Sequence, residues 1–156
     1  MTVLGVWLDN ARGFSPHLES ACEKAERFVG AIRGLLPNVN GPKDVVRRLY
    51  YGVWESVVMY GAPIWASSLD RVMNRKIIKR AQRAAMIRTS TAYRTVSYGD
   101  LCVVSGNMPT HIKAWLRWKQ YGVKRRIVES SDGREHASCE EMTELKTEAE
   151  DRWTVE

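Results

Sequence analysis

Apolar side chains recur every three or four residues through most of this chain, and each such stretch is bounded by proline, glycine or a hydroxyl residue. That period is one face of an α-helix, and it leaves little of the chain for strands, whose side chains alternate every second residue. Ser15-Pro16 starts the first stripe, with a hydroxyl at the N-cap and proline where its missing N–H costs nothing. Leu18, Ala21, Cys22, Ala25, Phe28, Val29, Ile32 and Leu36 follow, and Gly34 and Pro37-Asn38 end it. A second helix starts at Gly41-Pro42. Val46, Leu49, Tyr50, Val53, Trp54, Val57, Met59 and Tyr60 leave it apolar nearly all round, which predicts a buried helix at the heart of the core. Gly61 and Pro63 kink or end it.

Ser67-Ser68 is expected to cap a third helix of about 18 residues, from near Leu69 to Arg88. Thr95-Val96-Ser97 leads a short fourth helix in which Ser97 and Asp100 have the spacing of a capping box, closed by Gly106. Pro109-Thr110 opens a fifth, with Ile112, Trp115, Leu116, Tyr121 and Val123 among many cations. The opening Val3–Asp9 reads as a short buried strand. A lone strand needs partners for its backbone groups, and none follow, so the chain is expected to be a fragment of something larger. The fold class is mainly α: a bundle of about five helices, a short N-terminal strand, and an acidic, flexible C-terminal tail with a frayed helix near Cys139–Glu150.

Charge divides the chain unevenly. Residues 1–128 hold 21 Lys and Arg against 8 Asp and Glu, a net of +13, and residues 129–156 hold 3 against 10, a net of −7. A basic body points to a polyanionic partner, most commonly nucleic acid. No apolar run approaches the roughly 20 residues that span a bilayer, so no membrane partner is expected. The first ten residues lack the features of a secretory signal. Cys22 and Cys102 sit among apolar neighbours, which suits reduced thiols in an intracellular core.

Catalytic signatures are missing. Two-metal nucleotidyl transfer needs closely paired carboxylates, whereas Asp9, Asp44, Asp70, Asp100, Asp132 and Asp151 lie far apart. There is no Gly-rich phosphate loop. His136 and Cys139 make only half a zinc site, and His17 and His111 fall near helix starts, as surface or capping residues do. No catalytic residue, metal ligand or cofactor is therefore assigned. The strongest functional signal is the third helix, where Arg71, Arg75, Lys76, Lys79, Arg80, Arg83 and Arg88 face a single acid, Asp70. Like charges four residues apart cost a few tenths of a kcal/mol each in an isolated helix, so stability alone does not select them. Trp115 is expected in the core. Trp118 and Tyr121 could pack or stack on bases.

Several stretches together resemble the reverse transcriptases of non-LTR retrotransposons, especially the R1-like and jockey-like groups of insects. Leu4-Gly5-Val6-Trp7-Leu8-Asp9 resembles the segment that closes their palm. Pro16-His17-Leu18 with Lys24-Ala25 resembles the start of the next helix. Tyr60-Gly61-Ala62-Pro63-Ile64-Trp65, Gln82-Arg83, and Ala92–Ser97 followed by Leu101-Cys102-Val103 resemble later blocks in family order. The family tyrosine before Leu4-Gly5 is Val3 here, and the family's downstream zinc motif has no counterpart.

The resemblance implies that residues 1–13 are the last palm strand, residues 14–128 a helical thumb-like domain, and residues 129–156 an acidic tail. It implies a parent RNA-directed DNA polymerase with an endonuclease, needing Mg²⁺ and working in the nucleus, of which this chain would be a non-catalytic part. Its partners would be the missing fingers and palm and an RNA template–DNA primer duplex. Arg75, Lys76, Lys79, Arg80 and Arg83, supported by Arg94, Lys113 and Arg117, are the expected contacts to the duplex backbone. Leu4 and Gly5 would lie near the primer terminus. The alternatives are a basic helical protein-interaction module, or a degenerate relic without function.

Overall fold

The computed structural model describes residues 1–10, 13–32, 43–129 and 135–155. Among them run a two-stranded hairpin, β1 (Thr2–Val3) and β2 (Val6–Trp7), and seven α-helices. The helices are α1 (Ser15–Ile32), α2 (Asp44–Val58), α3 (Ala62–Trp65), α4 (Val72–Ser90), α5 (Tyr98–Ser105), α6 (Thr110–Glu129) and α7 (Glu135–Val155), with a 3-10 turn at Ala66–Asp70. The class is mainly α, as expected. The two helices beyond the expected five are the single turn α3 and the C-terminal α7. The expected stop at Gly34 and Pro37-Asn38 and the Gly41-Pro42 start lie outside the described residues.

At the N-terminus the expected single strand folds back on itself. Val3 pairs with Val6 and Thr2 with Trp7, antiparallel. Leu4 and Gly5 make the turn at φ 47° and 82°, the left-handed pair that matches strand twist in a two-residue hairpin. The segment thus supplies its own partner. The Trp7 N–H donates to His17 Nδ1 at 3.3 Å and ties the hairpin to α1.

The central helix is α4, which packs against α1, α2, α5 and α6. Asn74, Ile78, Ala81, Gln82, Ala85, Met86 and Thr89 are buried along it. By contrast, α2 buries one stripe, Tyr51, Trp54 and Val58, and exposes Val45, Leu49 and Val53. This corrects the expectation of a fully buried α2. Two polar residues on the inner face of α4 hid its centrality, because each is satisfied inside the protein. Asn74 Nδ2 donates to the carbonyls of Gly13 (2.7 Å) and Ser68 (3.0 Å), and its Oδ1 accepts from Ser15 Oγ at 2.6 Å. Gln82 Nε2 donates to Tyr51 Oη (2.8 Å) and Met108 O (3.1 Å). Its Oε1 accepts from Tyr98 Oη (2.6 Å) and the Thr110 N–H (2.8 Å). Small Ala81 and Ala85 let the neighbouring helices approach α4 closely.

The core has two lobes. One centres on Trp54, Val58, Met86 and Leu101, the other on Leu18, Ala62, Trp65 and Ile78. Trp54 and Trp65 are both fully buried, each a contribution of about 3 kcal/mol. Local signals set several boundaries. Ser97 Oγ accepts from the Asp100 N–H at 3.2 Å, which is the N-cap half of the expected capping box. At the other end of α5, Asn107 and Gly106 donate to Cys102 O and Val103 O, with Gly106 at φ 64°, so a Schellman motif stops the helix. Ser15 and Ser67-Ser68 differ from expectation. The Ser15 hydroxyl serves Asn74, while Ser67 and Ser68 lie in the 3-10 turn before α4.

The C-terminal segment, for which acidic composition predicts a flexible tail with a frayed helix, is helical over Glu135–Val155 and packs along α6. Ala149 is fully buried in that contact, and Arg152 stacks on Trp115 with its guanidinium carbon 3.9 Å from the ring centroid. Packing against a basic helix supplies what acid-rich composition alone does not.

Candidate functional site

The cations of α4 divide according to how that helix is packed. With seven of its positions turned into the bundle, the opposite side carries Lys76, Arg80 and Arg83 at i, i+4 and i+7, a spacing that puts them in one row. Lys76 and Arg80 are exposed, and Arg83 is half-buried. Lys79 borders the row, with Nζ 5.4 Å from the centre of the Tyr98 ring. Arg75 departs from it. Its Nε donates to Leu69 O at 3.3 Å, and it lines a groove of about 560 Å³ with Trp115, Glu148, Asp151 and Arg152. Arg75 therefore faces acidic side chains of α7.

Arg83 has a structural task as well as a charge. One guanidinium nitrogen donates to Arg94 O at 2.6 Å and to Val96 O at 2.9 Å, fixing the connection between α4 and α5. This brings the exposed Arg94 beside the row, so Lys76, Arg80, Arg83 and Arg94 form one positive ridge. Asp100 at the start of α5 is held by Ser97, whose hydroxyl donates to its carboxylate at 2.6 Å. The paired Gln82-Arg83 thus organises three later stretches, 94–98, Met108 and Thr110, through hydrogen bonds that run from the exposed bond to Arg94 O to the buried one from the Thr110 N–H.

The remaining expected contacts lie elsewhere. Lys113 on α6 is bound by both oxygens of Glu55 at 2.7 and 2.8 Å, a half-buried ion pair joining α6 to α2. Arg117 is exposed one turn further along α6. Leu4 and Gly5 occupy the exposed tip of the hairpin, where Tyr60 Oη donates to Leu4 O at 2.9 Å. That tip adjoins a groove lined by Gly5, His17, Ser20, Lys24 and Tyr60. The residues of the 60–65 stretch make this corner. Gly61 turns the chain at φ 65°, and Trp65 Nε1 donates to Tyr60 O at 2.9 Å.

His17 is 5% exposed and accepts from Trp7, so it is a buried tie to the hairpin, where a surface or capping residue was expected. Burial lowers its pKa from the ordinary value. Among the described residues, no group of three or more His, Cys, Asp or Glu could hold a metal ion, and no helix is long and apolar enough to cross a membrane. The His136 side chain lies outside those described. In the sequence Asn74 is overlooked, and Gln82 is singled out only as part of the Gln82-Arg83 block and not for its buried role; the signal for both is positional, since they keep register with Ile78 on the inner face of α4. Trp115 is half-buried under Arg152, while Trp118 and Tyr121 reach the surface.

The chain is similar to proteins of type-1 retrotransposable elements. It is 28% identical over 152 residues, 95% of its length, to the 115 kDa protein in element R1DM of Drosophila melanogaster. It is 26% identical over 115 residues, 73% of its length, to the retrovirus-related Pol polyprotein from element R1 of Bradysia coprophila. It is 26% identical over 122 residues, 73% of its length, to the corresponding polyprotein from R1 3 of Nasonia vitripennis. The matches span 15%, 12% and 32% of those relatives' own lengths. No family model and no solved structure matches the chain. A relation to R1-type retrotransposon proteins follows.

Proposed function

We propose that this chain is the thumb, with the end of the palm, of a non-LTR retrotransposon reverse transcriptase, and that it holds an RNA template–DNA primer duplex by its phosphates. The observation that carries this reading is the ridge of Lys76, Arg80, Arg83 and Arg94. It stands on the most firmly packed helix of the bundle, and α4 itself contains no acid. A rigid row of cations displaces condensed counterions from a nucleic-acid backbone and sets its register without reading bases. The similarity to R1-type Pol polyproteins supports the same assignment. In this reading the fingers and palm of the parent polymerase supply the carboxylates and Mg²⁺, the parent works in the nucleus, and the hairpin tip at Leu4-Gly5 lies toward the primer end.

The test is the binding of a blunt RNA–DNA duplex across a salt series. Log affinity should fall linearly with log salt. Lys76→Gln, Arg80→Gln and Arg94→Gln should each weaken binding and reduce the slope by about 1. A triple variant with the wild-type slope would overturn the assignment. A second reading, a basic bundle whose partner is an acidic protein surface, draws on one observation: α7 already sets Glu141 against Arg126 and Glu148 and Asp151 beside Arg75.

A further inference from the structure

Helix α6 carries six cations, Lys113, Arg117, Lys119, Lys124, Arg125 and Arg126, and no acid before Glu129. In its first turns it is packed on several sides, with Ile112 and Ala114 buried. Farther along, α7 takes one flank, through Arg152 on Trp115 and Arg126 with Glu141. The side that Ala114 turns into the bundle emerges into solvent about a turn later. There Trp118 is 36% and Tyr121 54% exposed. Arg117 and Lys124 flank them at helical spacing and are exposed, and Lys119 Nζ lies 5.0 Å from the centre of the Trp118 ring.

We propose that this face of α6 binds single-stranded nucleic acid, with Trp118 and Tyr121 each stacking on a base and Arg117 and Lys124 following the backbone. Side chains three apart on a helix lie about 5–6 Å apart at Cβ, a spacing that neighbouring bases of one strand can meet. A duplex buries its base faces in its own stack, so surface rings add little to duplex binding, whereas any unpaired base offers a π-face. A protein partner fits less well, because the centres of protein interfaces are depleted in charge, and here the rings stand among cations with no carboxylate on their helix before Glu129. The surface is separate from the α4 ridge, and the two can fail independently.

The experiment uses the full chain and two labelled probes, a 12-nucleotide oligo(U) and a blunt RNA–DNA duplex, followed by fluorescence anisotropy. Trp118→Ala and Tyr121→Ala should each weaken oligo(U) about tenfold and leave the duplex unchanged. Trp118→Phe, which keeps a ring, should recover most of that loss. Lys76→Gln with Arg80→Gln should do the reverse, weakening the duplex and sparing oligo(U). Both aromatic positions are at the surface, and circular dichroism checks that each variant is folded. Arg117→Gln, which removes no packing, gives a second reading through a shallower salt slope for oligo(U). Unchanged oligo(U) affinity in both alanine variants overturns the proposal. So does a loss of self-association in those variants without loss of oligo(U) binding, which would make the face a contact between copies of the chain.

Discussion

Gln82 shows how much one side chain can decide. Its amide meets four partners from three other parts of the chain: Tyr51, Tyr98, Met108 and Thr110. Gln82→Leu preserves bulk but removes four hydrogen bonds at a fully buried position and leaves the buried Thr110 N–H without its acceptor. Unmet buried groups cost about 1–3 kcal/mol each, partly relieved by relaxation. Urea unfolding of that variant should show a loss of about 3 kcal/mol. His17 makes a different prediction. Burial holds its pKa below the ordinary 6.5, so as pH falls through that value the unfolded chain takes up the proton first. Stability is full above pH 6.5, declines as the solution acidifies below it, and levels off under the folded pKa. His17→Asn keeps an acceptor toward Trp7 and should flatten this part of a stability–pH curve. Cys22, pushed up to about 12 by burial and by the nearby Glu26, Glu19 and Glu23, should resist alkylation in the native state, while exposed Cys139 reacts.

Between elements, the corner at Gly61 controls how the hairpin meets the bundle. Its φ is 65° and a Cβ there would lie 2.9 Å from Val6 Cγ2. Gly61→Ala therefore combines left-handed strain of about 1–2 kcal/mol with a clash that pushes β2 from the core. A lower urea midpoint, with faster exchange of the Trp7 amide, is the expected result. The same elements show what was legible in the sequence. The cap and stop of α5 were legible because Ser97, Asp100 and Gly106 act within a few residues of one another. The α2–α4 relationship was not, because periodicity counts apolar residues and cannot see that Asn74 and Gln82 find partners far along the chain. The hairpin escaped notice since Leu4 is an unusual residue at positive φ. Of the expected contacts, the Lys76–Arg80–Arg83 row followed from spacing alone. The turn of Arg75 toward α7 and the capture of Lys113 by Glu55 depend on tertiary packing, to which spacing is blind.

For the molecule as a whole, the question is what the acidic end does to a basic body. It does not float as a screening cloud: α7 lies along α6, with Glu141 on Arg126 and Glu148 and Asp151 in the groove beside Arg75. Lys76 and Arg80 are on the side of α4 turned away from its buried face, so α7 opposes them by distance-weakened repulsion of a ligand rather than by contact. Deleting residues 135–156 removes 8 Asp and Glu and 2 Lys and Arg, taking the net charge from +6 to +12. Duplex affinity should then rise several-fold at low salt, and the gain should vanish near 1 M, where charges farther apart than about 3 Å are screened. The same deletion uncovers Trp115, so the urea midpoint should fall even as affinity rises. Those opposite signs separate the two readings. A phosphate-gripping body binds better while becoming less stable. A body whose true partner is its own acidic helix loses stability without gaining affinity, and that result, from measurements at several salt concentrations, would remove the physical basis for a duplex on the α4 ridge.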